Sequence, residues 1–195
     1  MQGTATVVTP ERYAQGLTYQ EFLAQAKVNL DKFAQYYESV QVNAPDTNAL
    51  RRLMGLPHGP MKMLALGEDW CPDVFRGLPV FQRIAEATGM ELRVFPRDKN
   101  IDIMNEFLKE GKFQSIITVV FYTKDLHYIA HWIERPQIAY TELATFREEA
   151  AKTLPAGSEQ RAIFAEAGKR YTPRFPHYQQ ESIKEVIQLL TSKVK

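Results

Sequence analysis

Cysteine is nearly absent from this 195-residue chain, which contains only Cys71. One cysteine cannot form a disulfide within the chain, and it cannot supply a zinc or iron–sulfur site built from several thiolates. A chain of this length buries enough apolar surface to fold without disulfides or structural metals. If the protein carries out disulfide chemistry, the second sulfur must therefore come from another molecule.

An excess of charge of either sign is also missing. There are 24 Lys and Arg residues against 23 Asp and Glu residues, so the formal net charge is +1, and no basic run is longer than two residues, as at Arg51–Arg52. Proteins that hold nucleic acid or anionic membranes by charge usually carry a basic excess or a basic cluster. The composition therefore argues against both kinds of partner.

No segment is apolar for long enough to cross a membrane. The longest apolar run, Ile116–Tyr122, is interrupted by Thr118 and is far shorter than the ~20 residues that a membrane helix needs. The first residues, Met1–Thr4, lack the basic and apolar regions of a signal peptide. From these two absences we expect a cytoplasmic protein.

Patterns for metal and phosphate sites are weak. His127 and His131 have the spacing that binds zinc on a helix, but they fall on a predicted strand, where four residues span about 13 Å. The glutamates of the later predicted helices show no Glu-x-x-His pattern, and no Gly-rich phosphate loop is present. We therefore expect no metal and no cofactor.

Apolar periodicity predicts an α/β protein. Thr18 and Glu21 fit a capping box at the start of a helix, and an apolar stripe at helical spacing follows: Phe22, Ala26, Leu30, Phe33 and Tyr37. Further helices are predicted from Asp46 to Gly55, from Pro72 to Thr88, from Asn100 to Gly111 and, beginning at Pro136, over most of the remaining chain. Gly55 is expected in the left-handed conformation that ends many helices.

Four predicted strands lie between these helices, at residues 61–67, 91–95, 116–122 and 126–133. A helix joins the first two, which predicts a parallel pair, whereas the short turn at Thr123–Asp125 predicts an antiparallel last pair. A mixed four-stranded sheet with helices on both faces follows. We expect a single domain over residues 1–195, with a core at about 58–150 and helical extensions at 18–55 and 151–195.

The segment Gly67–Val74, which reads Gly-Glu-Asp-Trp-Cys-Pro-Asp-Val between a strand and a helix, resembles the active-site segment of the thioredoxin family. Three later features are similar to a bacterial branch of thioredoxin-like proteins: Arg97-Asp98, Gly111 and Trp132-x-x-Arg135-Pro136. The resemblance extends from about residue 22 to residue 190. It implies a thioredoxin-like three-layer α/β/α sandwich with extra N- and C-terminal helices.

Two departures from this family pattern bear on activity. Members that exchange disulfides carry Cys-x-x-Cys, and Val74 stands at the second cysteine position. They also carry a cis-proline before the third strand, where this chain has Ile117 after Ile116. Because a cis bond without proline costs about 2.5–4 kcal/mol, we expect a trans bond here. The residues that the resemblance places around Cys71 are Trp70, Pro72, Asp73, Val74, Ile116 and Ile117.

Opposing influences act on the Cys71 thiol. At a helix start, the free amides of Asp73 and Val74 and the helix dipole stabilise a thiolate. Nearby carboxylates raise the pKa of a thiol, and three are close in sequence: Glu68, Asp69 and Asp73. Arg76 is the only basic residue near by in sequence. The sequence alone does not decide which influence is larger.

Three functions remain open. In the first, Cys71 is the sole nucleophile of a thiol protein that forms mixed disulfides with a protein or a low-molecular-weight thiol. In the second, the chain is a redox-inactive binding module with a groove near Trp70 and Ile117. In the third, the terminal helices form an interaction surface.

Structural roles compete with these functional ones. Cys71 can be an unreactive small apolar residue, with Trp70 packed beside its sulfur, and Asp73 can simply complement the helix dipole. We interpret Arg97 and Asp98 as a local ion pair that fixes a loop. Arg135, next to Pro136, is interpreted as part of a helix start.

Overall fold

A mixed four-stranded sheet forms the centre of the computed structural model, which describes residues 6–155 and 157–194. Met1–Thr4, considered above for signal-peptide features, lie outside these residues. The strands are β1 (Lys62–Gly67), β2 (Glu91–Pro96), β3 (Thr118–Tyr122) and β4 (Tyr128–Ile133). Their order is β2-β1-β3-β4, with β1 parallel to β2 and antiparallel to β3, and β3 antiparallel to β4. Both predicted pairings are confirmed.

Helices flank this sheet along the described part of the chain. They are α1 (Pro10–Ala14), α2 (Tyr19–Gln25), α3 (Leu30–Ser39), α4 (Ala44–Met54), α5 (Pro72–Thr88), α6 (Ile101–Met104), α7 (Gln137–Thr153), α8 (Gln160–Tyr171) and α9 (Phe175–Lys193). Short 3-10 turns follow β2 and α8, at Arg97–Lys99 and Thr172–Arg174. The predicted α/β architecture with terminal helices is confirmed, and α1 is an element that the sequence pattern did not reveal.

The core lies where α5 packs against the sheet. Residues Met63–Leu66 of β1 are completely buried, as a mostly apolar strand covered on both faces should be. Phe81 of α5 is also completely buried, with its ring centroid 5.3 Å from that of Trp132 and 6.3 Å from that of Phe121. Helix α5 is therefore held firmly under the sheet, and its first turn is placed at the carboxyl end of β1.

The predicted helix after Thr18 is in fact two helices, α2 and α3. The capping box is present, since Thr18 Oγ1 accepts a hydrogen bond from the Glu21 amide at 3.2 Å and Glu21 Oε2 accepts one from the Thr18 amide at 2.8 Å. The chain leaves the helix at Ala26, and Asn29 adopts a left-handed conformation with φ of 62°. Contacts to the β1–α5 loop, described below, account for this break.

Other predicted boundaries also needed correction. Helix α4 begins before Asp46, because the Asn43 side chain accepts a hydrogen bond from the Asp46 amide at 2.8 Å and caps the helix there. Gly55 ends that helix with φ of −77°, which is right-handed rather than left-handed. Pro136 is the residue before α7 rather than its first residue.

The helix predicted from Asn100 to Gly111 is only one turn long, α6. Asn100 does not cap it: its side-chain amide donates to Pro96 O at 2.7 Å, and its Oδ1 accepts from Arg12 at 2.8 Å. Glu110 and Gly111 both have positive φ, 54° and 68°, so the chain turns there instead of continuing as a helix. Tertiary hydrogen bonds and a tight turn thus replace the predicted helix.

No helix among residues 6–155 and 157–194 combines the length and the apolar character needed to span a membrane.

Candidate functional site

Cys71 lies at the junction of β1 and α5, where it is the N-cap residue of the helix. The residue is 9% exposed, and its thiol donates a hydrogen bond to Ile116 O, with Sγ 3.7 Å from that oxygen. The Cys71 side chain accepts no capping hydrogen bond from the first turn of the helix, and the Val74 amide donates to Cys71 O at 3.0 Å instead. Cys71 therefore lies at the helix start, as predicted, but most of its side chain is buried and its thiol lacks the predicted hydrogen bonds from helix amides.

Burial raises the pKa of the Cys71 thiol above its ordinary value. The amides of Val74 and Asp73 lower this pKa, while the carboxylates of Asp73 and Glu134 raise it further. Desolvation is the largest influence, because a thiolate loses more hydration than a neutral thiol when it is buried. The direction that the sequence left undecided is thus upward.

Val74 occupies the position of the second cysteine in disulfide-exchanging thioredoxins. It is completely buried, and it packs so closely on β1 that a Cβ on Gly67 would lie 2.8 Å from Val74 Cγ1. Glycine at position 67 allows the helix start to approach the strand end at this distance. Val74 therefore packs between β1 and α5, and position 74 supplies no second thiol to the site.

The peptide bond between Ile116 and Ile117 is cis, so the prediction of a trans bond was wrong. That prediction rested on the intrinsic preference of an isolated peptide bond. In the fold, Ile116 O accepts the Cys71 hydrogen bond, Ile117 O accepts one from the Glu134 amide at 2.7 Å, and the Ile117 side chain packs against Gly77. Strand β3 begins at Thr118 rather than at the predicted residue 116.

An ion pair between Asp73 and Arg135 lies next to the cysteine and was not predicted. Arg135 Nη2 donates to Asp73 Oδ2, and the two side chains are only 21% and 15% exposed, respectively. Burial raises the pKa of Asp73, while the charges of Arg135 and Arg76 oppose this effect. Arg135, interpreted from sequence as part of a helix start, thus reaches back to the residue two positions after Cys71. The Trp132-x-x-Arg135-Pro136 motif was the one sequence signal that singled it out.

A second polar cluster adjoins this ion pair. Glu134 Oε2 accepts hydrogen bonds from Lys109 Nζ, at 2.6 Å, and from the Tyr140 hydroxyl. Burial raises the pKa of Glu134, but the hydrogen bonds from Lys109 and Tyr140 outweigh it, so that the pKa is below its usual value. Glu134 is therefore an ionised carboxylate beside Cys71, and the positive charge of Lys109 offsets its negative charge.

Trp70 is the exposed part of the site. About half of the residue, 51%, is accessible, and the Arg97 guanidinium lies 5.6 Å from its ring centroid. The predicted ion pair between Arg97 and Asp98 is confirmed, with Nε and Oδ1 2.5 Å apart. The Asp98 amide donates to Glu68 Oε1 at 2.8 Å, which ties the loop after β2 to the loop that carries Cys71.

Asp69 faces the N-terminal helices. Its Oδ2 accepts hydrogen bonds from the amides of Lys27, at 2.6 Å, and Val28, at 3.3 Å. The Asn29 side chain returns a hydrogen bond to Asp69 O at 2.9 Å. The Asp69 carboxylate, which sequence reasoning placed near the thiol, thus holds the α2–α3 loop against the segment that carries Cys71.

The cavities near the site are small or open. A cavity of about 20 Å³ between α5, the end of β4 and α9 holds no more than a water molecule. A larger, open groove lies beside α2 and is lined by Phe22, Gln25, Lys27, Glu68, Asp69 and Lys99. His131 lies on another groove, at the β3–β4 end of the sheet, and the described residues contain no cluster of three or more His, Cys, Asp or Glu side chains that could hold a metal.

Comparisons with known proteins agree with this geometry. A family model described as thioredoxin matches residues 16–151, which is most of the chain. A search of curated proteins gave no match.

Two solved structures share the fold. One is a protein of unknown function from Pseudomonas aeruginosa, with a TM-score of 0.61 and 16% identity over 95% of this chain and 98% of that chain. The other is an HIV epitope-scaffold, with a TM-score of 0.65 and 16% identity over 96% and 99%. With the family match, the site at the β1–α5 junction and the shared fold together, the chain belongs to the thioredoxin family.

Proposed function

We propose that the protein is a single-cysteine thiol protein, in which Cys71 forms mixed disulfides with a protein or a low-molecular-weight disulfide. The observation that carries this proposal is the position of Cys71 as the N-cap residue of α5, where the backbone amides of Val74 and Asp73 lower the pKa of its thiol. Hydrogen bonds and the helix dipole at such a position stabilise the thiolate, which is the nucleophile.

The exchange needs an external disulfide and then an external thiol, because position 74 supplies no second thiol. The Cys71 thiolate attacks one sulfur of a disulfide, forms the mixed disulfide and releases the other sulfur as a thiolate. An external thiolate then attacks the mixed disulfide and frees Cys71. A cytoplasmic location belongs to this proposal, since reducing compartments supply such thiols.

A redox-inactive binding module is the second candidate, favoured by the burial of Cys71. The sulfur is largely enclosed, and burial raises its pKa. Ile117 is completely buried, so the binding surface would consist of Trp70 and its neighbour Arg97 rather than the expected groove along Ile117. In this case Cys71 would act only as a small packing residue.

Incubation of the native protein with oxidised glutathione, followed by intact-mass spectrometry across pH, separates the two candidates. Because the pKa of the folded thiol is raised, the thiolate fraction of native protein at neutral pH is below that of the unfolded chain. The proposed function therefore predicts a one-to-one adduct that forms slowly at neutral pH, faster as the pH rises above about 8.5, and that added thiol removes.

The urea-unfolded protein and the Cys71→Ser variant are the controls. The unfolded chain must react and the serine variant must not. A native protein that never forms the adduct, while its unfolded chain does, would refute thiol exchange and leave the binding module.

A further inference from the structure

We propose that Arg135 is a positioning residue for Cys71: its ion pair with Asp73 holds that carboxylate in place, offsets its charge and so sets how fast the thiol reacts. This inference rests on the proposed function in that it concerns the same thiol.

Asp73 is the charged residue of α5 that follows Cys71 most closely in sequence. It is the second residue of the helix, after Pro72, and its carboxylate raises the pKa of the Cys71 thiol. Its side chain is only 15% exposed, so water screens its charge poorly. An uncompensated carboxylate in this position would oppose formation of the thiolate.

Arg135 reaches Asp73 from the end of β4. Its predecessor Glu134 has φ of 63° and donates its amide to Ile117 O, and the Arg135 amide donates to Ile133 O at 2.9 Å. The same short segment therefore contacts the residue that follows Ile116 and directs a guanidinium at Asp73. Residues 134 and 135 therefore contact both the backbone next to Cys71 and the carboxylate of Asp73.

Other charged and titratable groups lie around this ion pair, but Arg135 is the residue that bonds directly to Asp73. Arg76 of α5 also acts on Asp73, but its guanidinium lies 4.1 Å from the Phe175 ring centroid, and it forms no ion pair within residues 6–155 and 157–194. Glu134 acts on both Cys71 and Asp73, yet it is bound to Lys109 and Tyr140. The Tyr171 hydroxyl, on α8, is 3.5 Å from Arg135 Nη1.

Removal of one partner from a partly buried ion pair leaves the other charge unpaired and destabilises the fold, so loss of stability on its own would not distinguish positioning from a structural role. The distinguishing quantity is the electrostatic environment of the sulfur. Iodoacetamide is neutral and iodoacetate is anionic, so the ratio of their alkylation rates for Cys71 reports the local charge. The pH profile of each rate reports the thiolate fraction.

The test measures both rates across pH for the wild type and for Arg135→Gln, Arg135→Lys and Asp73→Asn. We expect Arg135→Gln to slow alkylation at pH 8 by about three- to tenfold, as a shift of about half to one pKa unit would, and to slow iodoacetate more than iodoacetamide. Arg135→Lys should restore part of the rate, because the charge returns without the paired geometry. Asp73→Asn should accelerate alkylation. In the Asp73→Asn/Arg135→Gln double variant, the Arg135→Gln change should then have little further effect on the rate.

Arg170→Gln is the matched control. Arg170 pairs with Glu149 between α8 and α7, with both side chains about half exposed, and its replacement should leave both alkylation rates unchanged.

Unchanged rates and an unchanged ratio in folded Arg135→Gln would overturn the inference. If that variant does not fold, an unchanged pH profile in Asp73→Asn would overturn it equally. Failure of the proposed function would look different: no glutathione adduct would form, whatever the dependence of alkylation on Arg135.

Discussion

At the scale of single residues, Cys71 and Val74 define what the site can and cannot complete. Cys71 occupies the helix start from which thioredoxins attack disulfides, but its neighbour one turn along α5 is a buried valine packed on Gly67. A disulfide formed at Cys71 therefore has no internal thiol to resolve it. The site thus has one thiol where a dithiol centre has two.

Replacement of Val74 by cysteine should supply the missing half. We expect the wild type to catalyse little or no reduction of insulin disulfides and Val74→Cys to gain measurable activity, because a second thiolate can then resolve the mixed disulfide. The smaller side chain should cost about 1 kcal/mol of stability. Insulin turbidity with dithiothreitol measures the activity.

Val74→Ala and the double variant Cys71→Ser/Val74→Cys are the controls, and neither should be active. Robust turnover by the unmodified protein would contradict this explanation of the site.

At the scale of elements, the loop between α2 and α3 joins the N-terminal helices to the segment that carries Cys71. Asp69 accepts hydrogen bonds from two successive amides between α2 and α3, and Asn29 returns one to the Asp69 carbonyl. The helices break at this loop because its amides bond to Asp69 instead of to the preceding helical turn.

Removal of the Asp69 carboxylate should loosen that connection. We expect Asp69→Ala to lower the free energy of unfolding by about 0.5–1.5 kcal/mol, since two amides lose their acceptor. Hydrogen exchange at Lys27 and Val28 should become faster, which hydrogen-exchange NMR would detect.

Asp69→Asn retains an acceptor oxygen and should lose less. Asp31→Ala, at an acidic side chain of α3 that is 77% exposed, should change neither quantity. Full protection of both amides in Asp69→Ala would count against the role assigned to this carboxylate.

At the scale of the whole molecule, the terminal helices share one core with the sheet. Phe33 of α3 and Ile183, Val186 and Leu190 of α9 are completely buried. The Tyr36 ring of α3 contacts Phe75 of α5 and Phe175 of α9, with centroids 5.9 Å and 5.5 Å apart. Residues in the predicted extensions thus belong to the same hydrophobic cluster as the strands.

Shortening a buried side chain of α9 should therefore destabilise the entire fold. We expect Ile183→Ala to lower the free energy of unfolding by about 2–5 kcal/mol, as cavities in cores do. Unfolding should remain one transition, with the same midpoint by tryptophan fluorescence and far-UV circular dichroism.

Ile187→Ala, at a partly buried position of the same helix, should cost less. A separate early transition of the terminal helices, with the sheet intact, would show instead that they fold as independent units.

Elements with local signals could be predicted from the amino-acid sequence alone. The capping box at Thr18, the apolar run of β1 and the helix from Pro72 to Thr88 were all predicted and are observed. Strand pairing was also predictable, because a connecting helix requires a parallel pair and a short turn permits an antiparallel one. The segment around Cys71 was recognisable for the same reason: its residues are consecutive.

Only the tertiary structure decided features that depend on distant residues. The break between α2 and α3 requires Asp69, 41 or 42 positions away, and the ion pair at the site joins residues 62 positions apart. The cis bond at Ile117 and the raised pKa of Cys71 belong to the same group. Local periodicity carries no information about such contacts, since burial and the approach of charges arise only when the chain is packed.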